Sequence, residues 1–261
     1  MKAKTHQTLT RLAIELCNEQ LSDAMCKNKE SIIQGSSNED HWYEPKRALN
    51  WHFYRKDGSP IPKRVRKFLL SCKPTSKGIL EDRILEMEGY GRADKRRYER
   101  LGRVLHHIQD MSTPSHVLPI YHGPDVSDHF ETFVEEHDCK ITSNHLVSPT
   151  SIEDKTTLEK IYENAATEML KHLSEDGFDV VNAETTTHLP YSVFWKHHTE
   201  EEYGKIKGFG VYDDRHKYFV DKNLLENNPH GISEQTLLSI QEQVTSRAIV
   251  NTCKALLLAD K

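Results

Sequence analysis

The sequence predicts an all-α fold in a single domain spanning residues 1–261. Three observations carry that expectation. Apolar residues recur at three- and four-residue intervals in several long segments, the signature of helices that bury one face. No internal repeat, low-complexity tract or linker-like stretch divides the chain. Its length and its 36% hydrophobic content are enough for one full core.

The first predicted helix runs from Thr5 to about Lys27, capped at Thr5 or Thr8, with Leu9, Leu12, Ala13 and Leu16 on one face. QGSSNED (34–40) reads as a loop. Residues 43–62 read as largely irregular and end at Gly58, Pro60 and Pro62. Lys63–Ser71 has the composition of a short basic helix, and Gly78–Met87 of another helix. Arg92–Met111 follows, with Tyr98, Leu101, Val104, Leu105 and Ile108 as its apolar stripe. Pro114 ends it, because proline cannot continue a helix without losing a hydrogen bond.

Residues 116–127 are expected to loop into a helix over Asp128–Glu136. The next helix starts at Ser151 or Thr157 and reaches Leu173, turning Leu158, Ile161, Ala165, Met169 and Leu173 inward. Gly177–Asn228 has aromatic residues but no sustained period. Ser233 caps a long amphipathic helix to Leu258, with Leu237, Leu238, Ile240, Val244, Ala248, Val250 and Leu256 among its apolar positions.

Composition excludes several classes of function. A formal charge of −5 gives no electrostatic reason for tight binding to nucleic acid, so no stable nucleic-acid partner is expected. The five cysteines are odd in number, scattered and without a CxxC pair, so they read as reduced, mostly buried thiols. No run approaches the roughly 18 apolar residues of a membrane span. The amino terminus lacks the apolar core and cleavage site of a signal peptide. That leaves cytoplasmic residence, prior processing and export by an unmarked route all open.

Histidine is abundant, with sixteen in the chain, and its placement matters more than its number. In LGRVLHHIQDMSTPSH (101–116), His106 and Asp110 stand four apart and share a helix face. His116 is delivered from beyond the Thr113-Pro114 break. Imidazole and carboxylate together suit zinc or another borderline divalent ion. For an isolated HxxxD pair, the ordinary reading is a surface pair or a satisfied buried one.

The surroundings favour a metal. A carboxylate at Asp110 on a Leu-rich face would be costly without a compensating charge. Asp40 and His52, twelve residues apart and flanked by aromatics, offer ligands from an opposite wall. His6 sits in the first turn of the first helix, five residues from the amine of Met1, and Asp128 and Glu131 share a face downstream.

These pieces resemble the zinc-dependent phospholipase C family, which shares its all-helical fold with the fungal single-strand nucleases. Residues 101–116 fit the family pattern LGxxxHxxxDxxxPxH. HFETF (129–133) is similar to the segment that delivers a glutamate ligand, and THQTLTRLAI to the opening helix with its histidine. The spacing from Asp40 to His52 is also family-like. The resemblance covers roughly residues 1–135.

Carried over, it implies up to three zinc ions. One is held by Asp40, His52, His106 and Asp110. A second shares Asp110 and uses His6 with the amine and carbonyl of Met1. A third uses His116 and Glu131. Where the family has a histidine four residues before its glutamate, this chain has Ser127, so His122, Asp128 or water alone completes that site, with His122 slightly preferred as an imidazole on a proline-flanked loop. His107 is expected to face away from His106 and to be nearly silent when replaced by alanine. His129, His197 and His198 are read as structural or surface residues, and His41, His137 and His145 are given no role.

The implied chemistry is phosphodiester hydrolysis, since clustered divalent ions activate water and neutralise charge on phosphoryl oxygens. Asp40 is the candidate base. Trp42, Trp51 and Tyr54, beside Tyr43 and Phe53, are the candidate substrate-binding aromatics, able to hold a quaternary ammonium or a nucleobase. Packing around a metal site would account for them equally well. The expected substrate is a phosphatidylcholine-type phospholipid met at a membrane or micelle surface. A single-strand nuclease or nucleotidase and a non-catalytic, metal-stabilised helical module are the alternatives.

Overall fold

The computed structural model describes residues 3–40, 54, 76–118, 129–136, 146, 149, 152–182, 185–195 and 234–261. The fold is all-α among these residues, apart from one two-stranded ribbon. Helix α1 covers Ala3–Cys17 and buries His6, Leu9, Thr10, Ala13, Ile14 and Cys17. It is shorter than expected. A 3-10 turn at Asn18–Gln20 ends it, and α2 (Asp23–Lys27) begins anew behind its own cap.

That cap is Ser22, whose hydroxyl accepts from Met25 N–H at 3.4 Å. Its backbone N–H and its hydroxyl both donate to the Asp260 carboxylate, at 2.6 and 2.5 Å. The first break in the helical run is therefore tied to a residue 238 positions away.

QGSSNED is not a loop. Helix α3 spans Lys29–Asn38 and takes in Gln34, Gly35, Ser36, Ser37 and Asn38. Ser36 and Ser37 turn their hydroxyls back onto the carbonyls of Ile33 and Gln34, at 2.7 and 2.9 Å. Gly35 serves helix packing. A Cβ at Gly35 would strike the backbone of Glu99, and one at Gly102 would strike Ile32 and lie 2.7 Å from Gly35 Cα. The two glycines let α3 and the central helix touch backbone to backbone.

Helix α4 is Ser76–Glu88, and the central helix α5 is Lys95–Asp110, capped by Asp94, whose carboxylate accepts from Arg96 N–H at 2.9 Å. Tyr98, Leu101, Val104, Leu105 and Ile108 are all buried as expected. From His106 to Asp110 no residue of α5 reaches solvent, because α1, α3, α4 and the carboxy-terminal helix pack around it. Pro114 both follows α5 and opens α6 (Pro114–Val117), where its missing N–H costs nothing. His116 is thus helical, not on a loop.

Helix α7 is His129–Glu136. Helix α8 is Leu158–Glu175, begun by Thr157, whose hydroxyl accepts from Lys160 N–H at 3.2 Å; its five expected inward residues are buried. The stretch without a clear period contains β1 (Gly177–Asn182) and β2 (Thr185–Pro190), paired antiparallel from Gly177↔Pro190 to Asn182↔Thr185. Helix α9, Glu234–Asp260, packs on α1, α5 and α8. One contiguous apolar core runs from Leu9 through Leu256. The expected basic helix at Lys63–Ser71, the loop after Leu118 and the Ser233 cap lie outside the described residues.

Candidate metal centre

Five elements deliver polar side chains to the buried end of α5. His6 comes from the first turn of α1, Asp40 from just past α3, and His106 and Asp110 from the last turn of α5. His116 comes from α6 and Glu131 from α7. The break after α5 is tight: Ser112 N–H donates to Gln109 O and Thr113 N–H to Asp110 O, both at 2.9 Å. Thr113 is extended, as a residue before proline must be, and it turns α6 so that His116 points back at Asp110.

Asp110 is the hub. Its Oδ2 lies 3.3 Å from His106 Nε2, and its Oδ1 lies 3.4 Å from His6 Nε2 and 3.5 Å from His116 Nε2. His116 Nε2 is in turn 3.2 Å from Glu131 Oε1, which accepts from the Ser115 hydroxyl at 3.0 Å. Asp40 stands 3.8 Å from His106 Nε2 and 4.0 Å from His6 Nε2. With 17% of its side chain exposed, against 9% for Glu131 and none for Asp110, Asp40 is the most exposed carboxylate among the described residues of the group.

These separations exceed the roughly 2.7–2.9 Å of a charge-assisted N–H···O hydrogen bond. Those around Asp110, at 3.3, 3.4 and 3.5 Å, match another geometry. Ligand atoms each about 2.0–2.1 Å from a tetrahedral zinc lie about 3.3 Å from one another. His6, His106 and Asp110 offer ligand atoms all within 4.8 Å of one another, and this buried trio could hold a metal ion. Nitrogen and carboxylate oxygen together are a donor set that fits zinc.

The histidine tautomers suit that role. His106 Nδ1 lies 2.8 Å from Ser36 O, a carbonyl that can only accept, so Nδ1 carries the proton and Nε2 faces the carboxylates. The His6 and His106 rings are stacked 3.8 Å apart. Burial would push the Asp110 carboxyl up. The surrounding imidazoles, His116 and His106 first among them, outweigh burial and hold it well below the usual carboxylate range.

Tyr54 is half-buried. Its N–H donates to His116 O at 2.8 Å, and its ring lies 6.2 Å from that of buried Tyr162. Met1, His52, Trp42, Trp51, His122 and Asp128 lie outside the described residues.

His107 corrects an expectation. It does turn to another face than His106, their rings meeting edge-on at 5.5 Å, but it is wholly buried and engaged. Its Nε2 faces Glu39 Oε1 at 3.3 Å. Glu39 also accepts from Arg83 Nε and Nη2 at 3.1 and 2.8 Å, and from Arg103 Nη1 at 3.4 Å. Burial opposes ionisation of Glu39, yet the hydrogen bond and charge of His107 and the charge of Arg83 hold it well below its ordinary value. This network fixes the chain immediately before Asp40. Sequence reading passed over it because Arg83 and Arg103 carry no spacing signal toward Glu39.

Comparisons with known protein families, with curated proteins and with solved structures find no match for this chain.

Proposed function

We propose that the protein is a zinc-dependent phosphodiester hydrolase of phospholipase C type, cleaving phosphatidylcholine-like lipids to diacylglycerol and a phosphorylated head group. One observation carries the reading: a wholly buried carboxylate, Asp110, has three imidazole nitrogens around it at tetrahedral-edge spacing. Its two oxygens face different histidines, which suits a carboxylate bridging two ions. His6, Asp40 and His106 would hold those ions with it, and His116 with Glu131 would hold a third. When bound, zinc supplies a water activated near neutral pH and neutralises charge on the phosphoryl oxygens.

The protein's own groups position and move protons. Asp40, at the solvent edge of the cluster, is placed to accept a proton from the attacking water. Tyr54 ties the chain beside the candidate aromatics to the carbonyl of His116. The net charge of −5 favours a zwitterionic choline lipid over a polyanionic strand. No described helix is long and apolar enough to cross a membrane, so the lipid would be met at a membrane or micelle surface.

The test is metal analysis of purified protein, followed by assays on short-chain phosphatidylcholine and on single-stranded DNA at matched concentration. More than one zinc equivalent with release of phosphocholine is expected. Cleavage of DNA without lipid turnover would move the protein to the nuclease branch, and full activity in chelator would end the metal reading.

A further inference from the structure

Gln109 precedes the hub carboxylate in sequence and points the other way. It is wholly buried, in a position where an amide must find a partner for each end or be costly. Its Nε2 lies 2.9 Å from Thr10 Oγ1 on α1 and 3.2 Å from Thr252 Oγ1 on α9. Its Oε1 lies 2.7 Å from His6 Nδ1.

The direction of each bond follows from the last donor in the chain. The Thr252 hydroxyl gives its single proton to Ala248 O at 2.6 Å. Toward Gln109 it can therefore only accept, which places the NH2 end of the amide there and its carbonyl oxygen at His6. That oxygen has no proton to give, so His6 Nδ1 must carry one. The neutral ring then presents Nε2, with its lone pair, toward Asp110 and Asp40. Among the described residues His6 Nε2 has no hydrogen-bond partner.

We propose that Gln109 is a positioning residue that locks His6 in the Nδ1–H tautomer, aims Nε2 into the cluster, and couples that aim to the packing of α9 through Thr252. The inference rests on the metal-centre reading for its purpose, but the tautomer it assigns does not depend on which metal is bound. Outer partners of this kind typically govern metal affinity by about 10–100-fold.

Histidine-labelled protein distinguishes the tautomers by 15N NMR, before and after zinc is added to the chelator-treated chain. In the unsubstituted protein His6 is expected as Nδ1–H, with Nε2 taking the zinc. Gln109→Met keeps the volume and removes the acceptor; mixed His6 tautomers and an about 10–100-fold weaker zinc affinity are expected, with His106 unchanged. Gln109→Glu keeps an acceptor, so it should restore the single tautomer and an affinity at or above that of the parent. A residue that merely fills space would show the reverse order, since glutamate buries a charge there. An Nε2–H tautomer in the parent protein, or Gln109→Glu as weak as Gln109→Met, overturns the proposal. If the parent binds no zinc, the metal reading fails, and the tautomer measured in the same samples still decides whether Gln109 orients His6.

Discussion

At the scale of single residues the molecule turns on how few groups share many partners. Asp110 meets three imidazoles, so Asp110→Asn is expected to remove more zinc and more activity than any other single ligand change, as read by metal content after dialysis. His107 pairs with Glu39, and it does so inside the core. His107→Ala leaves a cavity and takes one donor from a buried carboxylate, so a loss of about 1–3 kcal/mol in urea unfolding is expected. His172 behaves differently. Burial pushes it below its ordinary value, against the opposing pull of Asp176 at 2.6 Å. With the folded value depressed, its contribution is complete above about pH 6.5 and is lost as pH falls through the folded value. The unfolding free energy should therefore decline from pH 7.5 toward 5, and His172→Gln should flatten part of that decline.

Among the elements, the contact between α3 and α5 sets the site. Asp40 follows α3, and Ser36 O on α3 fixes the tautomer of His106, so any shift of α3 moves two parts of the cluster together. Gly102→Ala places a methyl group against backbone that cannot rotate away. The expected cost is about 1–3 kcal/mol in stability, with weaker zinc binding although no ligand has changed; urea unfolding checks the first and isothermal titration of the folded variant the second. This is also where sequence reading fell short. Gly35 and the serines after it are turn formers by composition, and only the partner helix α5, packed on them at Glu99 and Gly102, shows why they belong in a helix. The reading succeeded where local chemistry suffices: the stripe of α5, the inward face of α8, and the His106–Asp110 spacing each depend on a single period. The β1–β2 ribbon was missed because no alternation marks it. The Glu39–Arg83–Arg103 network was missed because its members meet only after folding.

Across the whole molecule, the cluster gathers residues from 6 to 131, and a metal would bind the folded chain far better than the unfolded one. Zinc at 100 times its dissociation constant stabilises a one-site protein by about 2.7 kcal/mol. Chelation should lower the melting temperature measurably, and adding zinc back should restore it. The Ser22–Asp260 tie acts on the same scale. Helix ends ordinarily open on their own, at almost no free-energy cost, and exchange their amide protons quickly. Here one carboxylate binds the last turn of α9 to the start of α2, and Arg92 holds the Asp260 carbonyl at 3.2 Å. The end of α9 therefore opens only when the segment after α1 lets go. Slow amide exchange should extend along α9 toward its last turn, and the two remote stretches should lose protection together as one cooperative unit.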